Sequence, residues 1–297
     1  MQQSGIQVDW RWLTRSGIAL FASAAGLVPR ARAARLDFST ASAAALQAQF
    51  DQILTTFQNN AAFVDAMRAN KAALTGRPPK SKTPISAKAT GFIISAEVSS
   101  QQAYTAKYQQ PTWPGNQSGV AIGIGYDLGD ITPAYLKEDW QGYISDATIT
   151  ALTPGCGLKG TAAQQMTAKL KSLVTIPWSA AYPEYMEQVQ PMYTGGVEQN
   201  LPNTGLLNQD CLGALVSLAY NRGYSAFNTP RDPSDPKDRY REMRAIETDM
   251  QGKNFSDIPT QIRSMERLWK NISGDEGLVT RREAGAALFA AGLKEHS

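Results

Sequence analysis

Two carboxylates stand out by where they fall in the sequence. Glu97 closes an apolar helical stretch (Ile85, Ala89, Phe92, Ile93, Ala96), and Asp127 ends a glycine-rich strand that begins at Gly119. A carboxyl at the end of an apolar helix is partly desolvated, which raises its pKa and lets it hold a proton near neutral pH. A second carboxyl, ionised on the far side of a reacting bond, completes the pair on which glycoside hydrolysis usually rests. The rest of the chain narrows the choice in the same direction. The one histidine, His296, stands next to the last residue, so a Ser-His-Asp triad, a Cys-His pair and a histidine zinc site are all excluded. Two cysteines, Cys156 and Cys211, with no Cys-x-x-Cys motif, exclude a four-cysteine zinc site. No metal and no cofactor is expected.

The elements that must position these groups are mostly helices. Helical spacing predicts a helix over about 86–98, then a small β-hairpin region over 103–128. Helices follow at about 133–144, 146–152, 161–173, 180–192, 206–220, 236–251, 257–271 and 278–293. The fold class is therefore α+β and mostly helical, with a small β-hairpin lobe and a helical lobe that form a cleft suited to an extended polymer. Residues 1–33 have the order of an export signal: Arg11 and Arg15, an apolar stretch from Gly17 to Val28, then Ala31-Arg32-Ala33. Residues 34–75 read as a helical segment, 76–88 as a linker rich in proline and lysine, and 89–297 as the main domain. Removing 1–33 takes away four arginines and Asp9, so the formal charge falls from +3 to 0. The basic bias belongs to the address segment, and nucleic acid is not an expected partner. No run reaches the roughly 18 apolar residues of a membrane span, and a monomer is expected. In an oxidising compartment Cys156 and Cys211 either pair, stabilising by about 4 kcal/mol, or stay as buried thiols.

Three segments, in order, resemble the phage-type lysozymes, glycoside hydrolase family 24. They are Phe92-Ile-Ile-Ser-Ala-Glu97 with Ala103-Tyr104 and Gly119-Val-Ala-Ile-Gly-Ile-Gly-Tyr-Asp-Leu-Gly129, then Ala214-Leu-Val-Ser-Leu-Ala-Tyr-Asn-Arg-Gly223, then Gly277-Leu-Val-Thr-Arg-Arg-Glu283. The resemblance covers about 89–293. It implies a lysozyme-like domain, and a muramidase that cleaves the bond between N-acetylmuramic acid and N-acetylglucosamine in peptidoglycan, with inversion. Such an enzyme is a bacteriolytic, antimicrobial hydrolase of the cell wall. Glu97 matches the family's catalytic acid. The commonest phage form places an aspartate nine residues later, where this chain has Ala106. The branch that resembles the muramidase domain of pesticin instead ends its strand in Gly-Tyr-Asp, which matches Asp127.

The departure that matters is Ala121, at the threonine position of both branches, where the hydroxyl helps to position the attacking water. Three readings stand open: lost or weakened activity, a substitute hydroxyl from Ser118 or Thr112, or Asp127 acting alone. Arg281 or Arg282 is expected to orient Glu97. Gly123 and Gly125 are read as letting a sugar chain approach the backbone, Tyr126 as stacking on a sugar, and Arg222 as lining the cleft floor or ending a helix. Two alternatives accompany the hydrolase: a catalytically impaired module that only binds the cell wall, and a bacteriocin or effector muramidase whose partner is an immunity protein. Export to the periplasm or medium follows if residues 1–33 act as a signal.

Overall fold

The computed structural model describes residues 77–270, 272 and 276–295. The expected export signal at 1–33, the helical segment at 34–75 and His296 lie outside the described residues. The described chain is mostly helical with one small antiparallel hairpin, the fold class expected. None of its helices is long and apolar enough to cross a membrane.

Local chemistry explains where the helices start. Ser86 caps α1 (Ala87–Val98), its hydroxyl accepting from the Ala89 amide. Ser100 caps α2 (Gln101–Lys107) in the same way. Thr132, followed by Pro133 at the first helical position, starts α3 (Pro133–Trp140). Ser145 starts α4 (Asp146–Leu152). Each cap satisfies an amide that the first helical turn leaves without a partner.

After α5 (Gly160–Leu170) the chain enters α6 (Trp178–Glu184), a π turn over Tyr185–Val189, and α7 (Gln190–Asn200). The π turn follows from Pro191. Its nitrogen has no hydrogen to donate and its ring crowds the preceding carbonyls, so the helix widens there. The Gln190 amide accordingly donates to Tyr185, five residues back.

The core is organised around α8 (Gln209–Arg222), on which every residue from Asp210 to Ala219 is buried. It packs on α1, α7 and the C-terminal α11 (Glu276–Glu295), while α10 (Ile258–Ser264) joins α11 to α9 (Arg241–Gly252). Gly213 brings α8 against α1, since a Cβ there would overlap the methyl of Ala89. Gly292 makes equivalent room on α11 for Asn208 and the Cys211 thiol.

Three expectations change. Residues 101–107 form a helix and are not part of the hairpin. The helix expected to end at 192 runs on, past the π turn, to Asn200. Residues 77–86, read as part of a linker, lie along the domain. Arg77 pairs with the buried Asp139, the Ser81 amide donates to the Pro191 carbonyl, and the Pro79 carbonyl fills the space over Gly195. Of the two alternatives open for Cys156 and Cys211, the unpaired one holds: both are free thiols. Cys211 is buried between α8 and α11, its Sγ 3.2 Å from the Phe289 carbonyl, whereas Cys156 sits in the turn behind the hairpin. Burial pushes the Cys211 thiol up to about 12, which leaves it unreactive.

Candidate active site

The hairpin is short because glycine dominates it. Strands β1 (Ala121–Ile122) and β2 (Tyr126–Asp127) pair Ala121 with Asp127 and Ile122 with Tyr126. Between them Gly123 and Gly125 both adopt positive φ (55° and 75°), the left-handed backbone that glycine takes without strain. Thr112 bridges to the other edge of Ala121, exchanging both backbone hydrogen bonds with it at 2.9 and 2.8 Å. Directly opposed residues in a ladder project to the same face, so Thr112, Ala121 and Asp127 form a row on one side. All three are half-buried, whereas Val120, Ile122 and Tyr126, on the alternate face, are buried.

Glu97 lies on the last turn of α1, near the tip of this hairpin. Its side chain is 20% exposed. The Arg281 guanidinium donates to its Oε1 at 2.7 Å and also to the Ser217 carbonyl at 3.1 Å, so α8 and α11 together fix the carboxyl. Oε2 faces Gly125, where a Cβ would come within 2.9 Å of it. Burial pushes the Glu97 carboxyl above its ordinary range, and Arg281 offsets this only in part. The negative end of α1 acts in the same direction as burial. One oxygen is thus locked, and the other faces the gap left by Gly125.

Tyr220, on α8, donates to the Ile124 carbonyl at the hairpin tip and packs beside Tyr185 and Tyr193. Burial raises the hydroxyls of Tyr185 and Tyr220, and the nearby charge of Glu97 adds to both. Asp127 is held differently. Its Oδ1 accepts from the Gly129 amide at 2.7 Å and its Oδ2 from the Gly119 amide at 3.1 Å. A Cβ at either glycine would run into Asp127 Oδ1, so both must be bare for the backbone to close around the carboxylate. The same contact caps the short 3-10 turn Leu128–Asp130, so Asp127 also has a structural role.

The other expected residues divide. Of the two arginines, Arg281 reaches Glu97. Arg282, one residue on and 1% exposed, turns to Asn221 and the face of Trp269 instead, and burial lowers its pKa to about 9. Arg222 is stacked against Tyr240 and Trp269 and donates to the Arg239 carbonyl, which is a structural role at the end of α8. Tyr126 is 4% exposed, packs edge-on to Trp140 and donates to Asp139 at 2.7 Å. It therefore offers no face to a sugar. Gly123 is also buried. A Cβ there would stand 2.7 Å from the Trp140 ring, so this glycine makes room for tryptophan and not for substrate. Gly125 is half-buried, and the room it makes is for Glu97.

Sequence reasoning passed over Ser217, Tyr220, Gly119 and Gly129, although each lies within the segments quoted for the resemblance. It gave no sign of a second buried carboxylate group. Glu184 and Asp139 are both fully buried, near Arg77, and Glu184 has no hydrogen-bond partner for either oxygen. No family model matches the chain, and no curated protein matches it significantly.

Proposed function

We propose that this protein is a muramidase, hydrolysing the glycosidic bond between N-acetylmuramic acid and N-acetylglucosamine in peptidoglycan. Glu97 gives its proton to the leaving glycosidic oxygen as the bond from the anomeric carbon breaks. A water attacks that carbon from the opposite face and gives its proton to Asp127. The product is the inverted sugar, and both carboxyls return to their starting states by exchange with solvent. This division of labour needs one protonated and one ionised carboxyl at the same pH.

The observation that carries this reading is the setting of Glu97: half-buried, with a raised pKa, one oxygen held by Arg281 and the other bare toward a glycine. Three ordered motifs and the placement of Asp127 on the hairpin beside it support the same reading. Access to a cell wall requires export, which residues 1–33 would supply; sequencing the N-terminus of the secreted protein tests this.

The test is digestion of purified peptidoglycan with the wild-type chain and Glu97→Gln, followed by analysis of the released ends. Fragments ending in reducing N-acetylmuramic acid, absent with the variant, are expected. If neither chain, nor one carrying Ala121→Thr, releases such ends, the hydrolase reading fails. The second reading, a wall-binding module without chemistry, draws on Ala121, which puts a methyl in the middle of the row beside Asp127. It predicts retention on insoluble peptidoglycan without cleavage.

A further inference from the structure

A water activated by one carboxylate needs a second group to fix its direction of attack. A base at Asp127 fixes only one of the water's hydrogen bonds. Both carboxylate oxygens are already anchored to backbone amides, so the base itself cannot swing to follow a loosely held water. The adjacent residue across the ladder is Ala121, whose methyl offers no hydrogen bond. The next residue in the same row is Thr112.

Thr112 has what the position needs. It faces the side of the sheet that carries Ala121 and Asp127, and it is half-buried rather than sealed. Its backbone is pinned to Ala121 by two hydrogen bonds, so the side chain starts from a fixed point. No described residue bonds its hydroxyl, which leaves a donor and an acceptor free. Two ladder steps separate Thr112 from Asp127, one hydrogen-bonded and one not, or about 10 Å between Cα atoms. Side chains from both ends, with one or two waters, fill a gap of that size, and the small methyl of Ala121 leaves the space over the middle open. The Ser118 hydroxyl is placed less well. It follows a turn closed by its own amide on Gly115 and falls at the alternate position relative to Ala121.

We propose that Thr112 is the positioning residue for the attacking water, supplying from the neighbouring strand the hydroxyl that position 121 lacks. This rests on the glycosidase reading above and says which group of this chain completes it. The hydroxyl accepts from or donates to the water while Asp127 takes the water's proton. Thr112 undergoes no change of its own in the reaction.

The experiment compares Thr112→Val, Thr112→Ser, Ala121→Thr and the double variant Thr112→Val/Ala121→Thr with the wild-type chain, reading kcat, KM and Tm on soluble glycan strands. Thr112→Val keeps shape and β-branching and removes only the hydroxyl. It is expected to lower kcat by about 10- to 100-fold with KM and Tm little changed. Thr112→Ser is expected to keep most of the rate, and Ala121→Thr to restore it in the double variant. A role in packing alone predicts the reverse: Ser loses stability and Val does not. Thr112→Ala, should Val perturb the strand, is expected to show the same loss in kcat.

Two outcomes overturn this proposal while leaving the hydrolase reading intact. One is an active wild type with an equally active Thr112→Val. The other is an inert wild type that gains activity with Ala121→Thr, since Thr112 would then not be substituting. No cleavage by any chain overturns both.

Discussion

Glu97, half-buried, and Glu184, fully buried, each share their surroundings with an arginine, and burial raises the pKa of both. Glu97 keeps one-fifth of its side chain exposed, gives one oxygen to Arg281 and turns the other toward the bare backbone of Gly125. Glu184 is sealed at 0% exposure, at the junction of α6 with the π turn, and no described group bonds either of its oxygens. Its neighbour Asp139 takes Arg77 and the Tyr126 hydroxyl. The lesson is that a perturbed pKa alone does not mark an active site. What separates the two is whether the carboxyl is open to solvent. One-fifth of the Glu97 side chain is open to solvent, whereas the Glu184 carboxyl is closed inside the core.

The sharpest test of this contrast is the pair of Gln variants. Glu97→Gln is expected to lower hydrolysis by about 10³-fold or more while leaving Tm unchanged or higher, because a neutral amide suits the half-buried position and still accepts from Arg281. Glu184→Gln is expected to leave kcat within about twofold. Loss of activity from Glu184→Gln with an unchanged Tm would erase the distinction between the two glutamates.

A smaller effect is expected at Gly125. Gly125→Ala places a methyl against Glu97 Oε2 at a positive φ, and should cost about 10- to 100-fold in kcat together with about 1–2 kcal/mol of stability. Full activity in this variant would mean that the proton does not leave by that side.

Arg281→Lys keeps the charge and loses the two-pronged grip on Glu97 and Ser217, with an expected loss of about 10-fold in kcat. Because Arg281 lowers the Glu97 pKa, the neutral Arg281→Met should move the alkaline limb of the kcat/KM profile to higher pH, the acid having to stay protonated. A shift to lower pH would contradict the assignment of Glu97 as the acid.

Glu184 makes its own prediction on stability. Its folded pKa lies well above that of the unfolded chain, so any stability it contributes is fully present below the ordinary carboxyl range. That stability is lost as pH rises from there through the folded value. Across that window the loss is about 1.4 kcal/mol per pH unit, or about 3–6 °C in Tm for a domain of this size. Glu184→Gln should remove that slope, which thermal melts at several pH values would read. The smallest effect is expected for Tyr126→Phe. It removes one buried hydrogen bond to Asp139, costs about 1–3 kcal/mol and leaves kcat unchanged.

The comparison also shows what sequence can carry. α4 was legible to the residue, because Ser145 announces its start and helical spacing fills it. α2 was not, because its aromatic and β-branched residues, Tyr104 and Thr105, read as strand in a glycine-rich setting, while the Ser100 cap is what decides. Glu97 and Asp127 stood out in the sequence because each ends an element of distinct pattern. The choice of Arg281 over Arg282 was not. Neighbours on a helix point about 100° apart, and only the packing of α11 on α8 selects which one meets α1. Gly123 and Gly125 look equivalent in the sequence, yet one admits the Trp140 ring and the other the Glu97 carboxyl. Nothing in the spacing of Arg77, Asp139 and Glu184 could have gathered them, since they come from α3, α6 and the irregular segment ahead of α1.

The pin between Arg77 and Asp139 bears on how small a working piece of this protein can be made. By helix boundaries alone, a minimal version would begin at Ser86, the cap of α1. Such a piece would leave the buried Asp139 carboxyl with the Tyr126 hydroxyl but without its guanidinium partner, and uncover the surface of Gly195 that Pro79 occupies. Breaking a buried pair from one side costs about 3–5 kcal/mol, a large share of the stability of an ordinary domain. A shortened version meant for crystals or assays should therefore keep Arg77, ten residues ahead of α1.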